Sequence, residues 1–180
     1  MNPQRLLSKL LVLLTTITGC GFAADRVGDF SLLDQEGYFH QISWYDNNKA
    51  VALMVHARQD DEVNAKLPAF MKLKSTYEQQ GIKLFMINSS GLENREAIKA
   101  DLKTLGISIP VLMDDAKVIS SSLGITQTSE VFVLDPKSFK LLFRGPIGKQ
   151  LTRAFDSIIA GESVEVSGAT EFGNPVLYPV

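Results

Sequence analysis

A chain of 180 residues that is 45% hydrophobic and 21% charged is long and apolar enough for one globular domain with a sizeable core. This composition does not favour a disordered chain. The formal net charge of −2, without a Lys/Arg cluster, excludes nucleic acid as an expected partner, because phosphate binding needs grouped cations. The single cysteine excludes both an internal disulfide and a two-cysteine redox cycle.

Residues 1–19 have the features of an export signal and are set aside from fold reasoning. Arg5 and Lys9 lead into the apolar run Leu10–Leu14, which is too short to span a bilayer stably. Removing this segment takes away two cations and no acids, so the formal charge of the remaining chain becomes −4. The predicted location is the periplasm or cell envelope.

The end of the signal allows two cleavage sites. Ile17-Thr18-Gly19-Cys20 resembles a lipobox, in which Cys20 is lipidated and becomes the N-terminus of a membrane-anchored lipoprotein. The alternative is ordinary cleavage after Ala23, with small Gly21 and Ala23 at the recognition positions. In either case Cys20 lies outside the fold, so the folded domain has no thiol in a compartment where disulfides persist.

The first half of the remaining chain alternates strands and helices. Gly28–Gly37 predicts a short strand and a turn, with Tyr38–Trp44 as its hairpin partner in an N-terminal extension of the sheet. The apolar run Ala50–Ala57 is typical of a central strand covered on both faces. Apolar residues at helical spacing predict a helix from about Asp61 to Gln80, which Gly81 ends.

The next predicted elements are a second buried strand, Ile82–Asn88, and a helix from about Glu93 to Leu105. This alternation of strands and helices implies parallel strands joined by right-handed crossovers. Asp114 or Asp115 is expected to cap the next helix. The second half is predicted to contain, in order, an extended segment, a helix, an antiparallel hairpin and a last helix: Ile107–Met113, Ala116–Leu123, Glu130–Leu134 with Lys140–Gly145, and Leu151–Ala160.

This order of elements resembles the thioredoxin fold, and three motifs are similar to the redoxin group of AhpC/TSA-like, peroxiredoxin-related and thiol-disulfide proteins. Val27–Leu32 is similar to the G-x-x-F-x-L opening of that group. Val131–Asp135 with Phe143–Ile147 resembles its closing hairpin, and Ala160–Val164 resembles the A-G-x-x-V tail of its exported members.

The resemblance implies an α/β protein with a thioredoxin-like fold: a central mixed sheet flanked by helices, with the N-terminal β-hairpin extension. We expect the thioredoxin-like domain to span residues 25–165 and a C-terminal tail to span residues 166–180.

Aligned on these motifs, the chain lacks the groups that the family uses for thiol chemistry. The C-x-x-C positions fall on residues 60–63, so Asp60 and Val63 replace the two sulfurs. The family's cis-proline corresponds to Ser129, for which we expect a trans bond, and Asn174 replaces a cysteine near the C-terminus. The resemblance therefore implies a degenerate redoxin, a pseudoenzyme with no catalytic residue and no cofactor.

The acids that stand at the start of the first long helix have two interpretations. One aspartate caps the helix and stabilises it by about 0.5–2 kcal/mol, while Asp61 and Glu62 interact favourably with the helix dipole. The alternative is a cation site of His56, Asp60, Asp61 and Glu62, although adjacent residues of one helical turn point in different directions. We expect His56 to be packed or hydrogen-bonded at the strand end, and His40 to be an ordinary surface residue.

These features predict a redox-inactive binding or scaffolding module that holds a protein partner in the cell envelope. In the family, thiol substrates dock on the loop that contains the cis-proline, and we expect the groove there to remain as a peptide-binding edge. The candidate partner-binding residues are His56, Arg58, Asp60, Asp61, Glu62, Thr128, Ser129 and Glu130. Two alternatives stay open: an oxidoreductase-related protein that works through a thiol or metal of its partner, and a protein that delivers a metal or cofactor.

Overall fold

The computed structural model describes residues 26–91, 94–164 and 174–176. The predicted signal segment, Cys20 and most of the predicted tail lie outside the described residues. The strands are β1 (Ser31–Leu33), β2 (Phe39–Gln41), β3 (Ala50–His56), β4 (Ile82–Asn88), β5 (Val111–Met113), β6 (Glu130–Leu134) and β7 (Leu141–Pro146). The helices are α1 (Asp61–Tyr77), α2 (Arg95–Leu105), α3 (Val118–Leu123) and α4 (Lys149–Ala160).

Five strands form a mixed sheet in the order β5-β4-β3-β6-β7. β3 is central and runs parallel to β4, with Ala50 opposite Ile82 and His56 opposite Asn88. β4 is parallel to β5, whereas β6 is antiparallel to both β3 and β7. All seven β3 residues are buried, as expected for a strand covered on both faces. The predicted thioredoxin-like mixed sheet flanked by helices is confirmed.

Side chains of β3 alternate between two cores because successive strand residues point to opposite faces. Met54 and its same-face neighbours pack with apolar residues of α1, α2 and α4, among them Phe70 and Phe155. Leu53 and Val55 pack on the other face with α3 and with Phe30 of the N-terminal extension. Burying an aromatic side chain of this size stabilises the fold by about 1.5–3 kcal/mol, so each face has its own apolar support.

The predicted N-terminal hairpin is present as the pair β1–β2, but it is shorter than expected. Leu33 lies opposite Phe39, and the predicted second strand ends at Gln41, where residues Ile42–Tyr45 turn into a short 3-10 helix. Leu33 and Phe39 of the hairpin and Trp44 of the 3-10 helix are exposed, and the Phe39 and Trp44 ring centroids lie 5.1 Å apart. No helix of the described residues is both long and apolar enough to cross a bilayer.

The prediction that His40 is an ordinary surface residue is wrong. Its Nε2 lies 2.9 Å from the Asp34 carboxylate and its Nδ1 lies 2.7 Å from the Tyr45 hydroxyl. Its ring also meets the edge of Phe85, with centroids 5.0 Å apart. Asp34 is 2% exposed and accepts the backbone N–H groups of the turn as well. His40 therefore holds the hairpin on the sheet.

The helix α3 begins two residues later than predicted. Its N-cap is Lys117, in the left-handed region at φ 58° and without a side-chain cap. Asp114 nevertheless serves this helix, because its carboxylate accepts the backbone N–H of Ser120 at 2.7 Å and the hydroxyl of Ser120 at 2.6 Å. Asp114, rather than Asp115, thus satisfies the first turn from outside the usual cap position.

At the start of β6, Glu130 is 1% exposed and forms a bidentate pair with Arg144 of β7. Arg144 also donates to the carbonyl oxygen of Gly124 at 3.0 Å and lies over the Phe132 ring. A buried charge that loses its partner stays desolvated without compensation. This pair therefore supports the sheet at the end nearest the loop that follows β3.

Replacing Glu130 by Gln should lower the free energy of unfolding by about 3–5 kcal/mol, because it removes the buried carboxylate that pairs bidentately with Arg144. Urea denaturation measures the loss. The matched control is Asp115→Asn, which makes the same charge change at an exposed position and should alter stability by less than about 0.5 kcal/mol. Equal effects of the two substitutions would contradict this assignment.

Candidate functional site

The candidate site lies where the central strand β3 ends and α1 begins. The loop Ala57–Asp60 connects them, and the loop that enters β6 and the segment Asn174–Val176 lie beside it. Together they line a cavity of about 420 Å³. A smaller cavity of about 210 Å³ lies on the other side of the same loop, against α2. Ligand sites of open α/β sheets occur at this end, beyond the carboxyl ends of parallel strands.

Asp60 caps α1, as predicted for one aspartate of this turn. Its backbone is extended, and its Oδ1 accepts the backbone N–H of Val63 at 3.0 Å. Its Oδ2 accepts the Thr128 hydroxyl at 3.0 Å and the Asn174 side-chain amide at 3.2 Å. Asp60 and Asn174, the two residues predicted from the sequence to stand at family cysteine positions, are therefore hydrogen-bonded to each other.

The other residues of the predicted C-x-x-C register differ sharply in exposure. Asp61 and Glu62 are exposed on the first turn of α1, where the helix dipole favours anions. Val63 is 0% exposed and belongs to the core. In the described ranges, no group of three or more His, Cys, Asp and Glu residues is arranged to hold a metal ion. The alternative cation site with His56 therefore gains no support from the geometry.

Thr128, Ser129 and Glu130 are buried, with exposures of 2%, 3% and 1%. Ser129 has φ 63°, and its backbone N–H donates to the Val55 carbonyl oxygen at 2.9 Å. Its peptide bond is trans, as expected, and its buried hydroxyl has no hydrogen-bond partner among the described residues. These three residues therefore support the loop from inside the fold. Because the Glu130 side chain is buried, it cannot contact a partner directly.

His56 is hydrogen-bonded at the strand end, as predicted. Ser90 donates to the Asn88 Oδ1, which leaves the Asn88 Nδ2 to donate to the His56 Nδ1 at 3.3 Å. The His56 Nδ1 is then an acceptor, so the proton of the neutral ring lies on Nε2. Burial lowers the pKa of His56 to about 4, against the opposing effect of the nearby carboxylates of Asp101 and Asp60.

Two residues of the site carry no sequence signal that marks them. Asp101 of α2 accepts the Nε of Arg58 at 2.6 Å, although it is 43 residues away in the chain. Both members of this pair are partly exposed, so it contributes about 0–1 kcal/mol. Gln59 is exposed at φ 54°, a conformation that non-glycine residues adopt rarely, and it forms the outermost point of the loop.

Replacing Asp60 by Ala should lower the free energy of unfolding by about 1–2 kcal/mol, because α1 loses its cap and Thr128 and Asn174 lose their acceptor. Thermal or urea denaturation measures the change. Asp61→Ala is the matched control: it removes the same charge one residue later but leaves the cap in place, so its effect should be smaller. A larger loss for Asp61→Ala than for Asp60→Ala would refute the cap assignment.

His56 should make the protein less stable as the pH falls from about 6.5 to about 4. The unfolded imidazole binds a proton near pH 6.5 and the folded one only near its pKa of about 4, so the unfolded state holds more protons in this window. The expected loss is on the order of 3 kcal/mol by pH 4. Urea denaturation at a series of pH values should show this slope.

The part of this slope that His56 produces should be absent in a His56→Leu variant. The chain has one other histidine, so His40→Gln is the matched control, and it should keep the part of the slope that His56 produces. An unchanged pH dependence in His56→Leu would show that His56 does not titrate as its burial requires.

Comparison with known protein families gives one match, which covers the part of the site that precedes residue 140. A model of the AhpC/TSA family matches residues 23–139, which include β3, the loop Ala57–Asp60, α1 and β6. No curated protein sequence matches the chain.

Solved structures with the same fold cover most of the chain. A hypothetical protein from Sinorhizobium meliloti 1021 aligns with a TM-score of 0.76 at 21% identity, over 86% of this chain and 93% of its own. A thiol:disulfide interchange protein of the thioredoxin family from Chlorobium tepidum TLS aligns with a TM-score of 0.59 at 21% identity, over 76% and 94%.

The pneumococcal exposed lipoprotein thioredoxin from Streptococcus pneumoniae strain TIGR4 also aligns with a TM-score of 0.59 at 21% identity, over 74% of this chain and 98% of its own. These TM-scores show that the chain shares the thioredoxin fold. Because the family model matches more than half of the sequence and spans the loop after the central strand, the chain belongs to the AhpC/TSA family.

Proposed function

We propose that this chain is a redox-inactive member of its family, which binds a protein partner in the cell envelope at the loop between β3 and α1. The observation that carries the proposal is the set of hydrogen bonds that the Asp60 carboxylate accepts. The carboxylate at the expected sulfur position satisfies the helix N-terminus and joins Thr128 and Asn174, so the turn keeps its shape without a nucleophile.

Residue chemistry argues against thiol or peroxide turnover at this loop. A carboxylate cannot attack a disulfide or a peroxide O–O bond and then be recycled as a thiolate can. The single cysteine of the sequence, Cys20, lies ahead of the domain that carries the loop. Activity that depends on a sulfur would therefore need a thiol from the partner.

The surface around the loop offers a mixed polar rim for partner contact. Asp61, Glu62 and Gln59 are exposed, and Arg58 is partly exposed beside the larger cavity. His56, Asp60, Thr128, Ser129 and Glu130 support this rim from below rather than forming it. Exposed charges at the rim of an interface contribute to partner choice and association rate. Of the predicted partner-binding residues, Arg58, Asp61 and Glu62 are the ones that a partner can reach at this rim.

The proposed location is the cell envelope, with a lipid on Cys20 as the membrane attachment. The support is the charged and apolar pattern of residues 1–19 and the lipobox-like residues that follow. One neighbour of the same fold is named as an exposed lipoprotein thioredoxin, which agrees with this location. A single acyl chain gives weak anchoring, so a lipoprotein-type modification with several chains fits a stably attached domain.

Affinity purification of the full chain from its native membrane, followed by mass spectrometry, should capture one envelope protein reproducibly. The double variant Asp61→Lys and Glu62→Lys should reduce its capture about tenfold, because like or misplaced charges at a rim weaken association by at least about 1.4 kcal/mol. The matched control is the double variant Asp46→Lys and Glu162→Lys, which reverses two exposed acids at the opposite end of the sheet and should retain the partner.

Capture that is the same for the wild type and the Asp61/Glu62 variant would count against a partner site at this loop. The same purified protein should neither reduce insulin disulfides nor consume peroxide without its partner. Turnover by the isolated chain would contradict the redox-inactive assignment.

A further inference from the structure

The segment Asn174–Val176 forms a short antiparallel pairing with residues 126–128. The backbone N–H of Thr128 donates to the Asn174 carbonyl oxygen at 2.8 Å, and the backbone N–H of Val176 donates to the Thr126 carbonyl oxygen at 2.9 Å. Gln127 lies opposite Pro175 between these two bonds. Pro175 thus occupies a non-hydrogen-bonded position of the ladder, where its missing N–H costs nothing.

Side chains add specificity to this backbone pairing. The Asn174 amide donates to the Asp60 carboxylate at 3.2 Å, and the Asn174 backbone N–H donates to the Thr128 hydroxyl at 3.0 Å. Val176 packs against the apolar core on the α3 face of the sheet. All three residues of the segment also line the larger cavity, so they form one wall of the candidate site.

We propose that the edge at Thr126–Thr128 is a binding site for an extended peptide strand, and that Asn174–Val176 occupies it in the free chain until a partner strand replaces it. This inference rests on the proposed function, because it concerns the same partner site. The partner strand that fits has a side-chain amide facing Asp60, a residue that needs no N–H, and an apolar residue for the cleft where Val176 packs.

The pairing has the properties of an exchangeable strand. Backbone hydrogen bonds give affinity in strand addition, and side-chain pockets give specificity. An attached segment competes at an effective concentration on the order of millimolar. The apparent affinity for a partner strand is therefore the intrinsic affinity multiplied by the fraction of chains in which the edge is unoccupied.

The test uses a fluorescent peptide with the sequence of residues 171–180, Glu-Phe-Gly-Asn-Pro-Val-Leu-Tyr-Pro-Val, added to the full chain. In an Asn174→Asp variant of the chain, the new carboxylate faces Asp60 and repels it, which frees the edge for the peptide. Fluorescence anisotropy should show about tenfold tighter binding to this variant than to the wild type. The matched control is Asn47→Asp, the same change at the opposite end of the sheet, which should bind like the wild type.

A peptide with Asp in place of its Asn should bind neither chain. Equal affinity of the original peptide for the wild type and for Asn174→Asp would overturn the proposal, as would equal binding of the two peptides. If Asn174→Asp fails to fold by circular dichroism, Val176→Ser replaces it, because it loosens the segment without adding charge and should also bind the peptide more tightly.

The outcomes separate this inference from the proposed function. In one outcome, Asn174→Asp binds the peptide more tightly, but the Asp61 and Glu62 substitutions do not change partner capture. This result would support the strand site and rule out the rim as the partner site. Capture that depends on the rim, together with no peptide binding to Asn174→Asp, would keep the partner site and overturn the exchangeable segment.

Discussion

The carboxylate of Asp60 is the interaction on which the candidate site depends. One oxygen satisfies an N–H that the start of α1 leaves without an intrahelical partner, and the other accepts from the separate segments of Thr128 and Asn174. The dipole of α1 interacts favourably with a negative charge at this position. The turn between β3 and α1 is therefore a structural joint that connects three segments of the chain.

Beneath this joint, the hydrogen bonds from Ser90 through Asn88 to His56 fix the ring of a buried histidine. Burial keeps that ring neutral, so His56 adds no positive charge to the lining of the cavity. Charges lie at the exposed rim, where they affect partner choice more than stability. Buried polar groups thus hold the shape of the site, and exposed ones are left to recognise a partner.

Much of the fold could be predicted because buried strands and amphipathic helices leave periodic patterns in the sequence. The strand Ile82–Asn88 has the predicted bounds, and the last helix begins two residues before the predicted start. Predictions failed where a distant side chain decides the outcome. His40 is held by Asp34, Tyr45 and Phe85. In α3, the backbone N–H of Ser120 donates to the carboxylate of Asp114, which precedes the helix.

By itself, the sequence determined the order of the elements, the single cysteine at position 20 and the acid at the start of α1, because these are local properties of composition and spacing. Only the tertiary structure decided that Asn174 meets Asp60 across 114 residues, that Glu130 is buried against Arg144 and that a terminal segment fills the edge at Thr126–Thr128. Local patterns specify which face of an element is apolar, whereas polar pairs between distant segments form only when packing brings their side chains together.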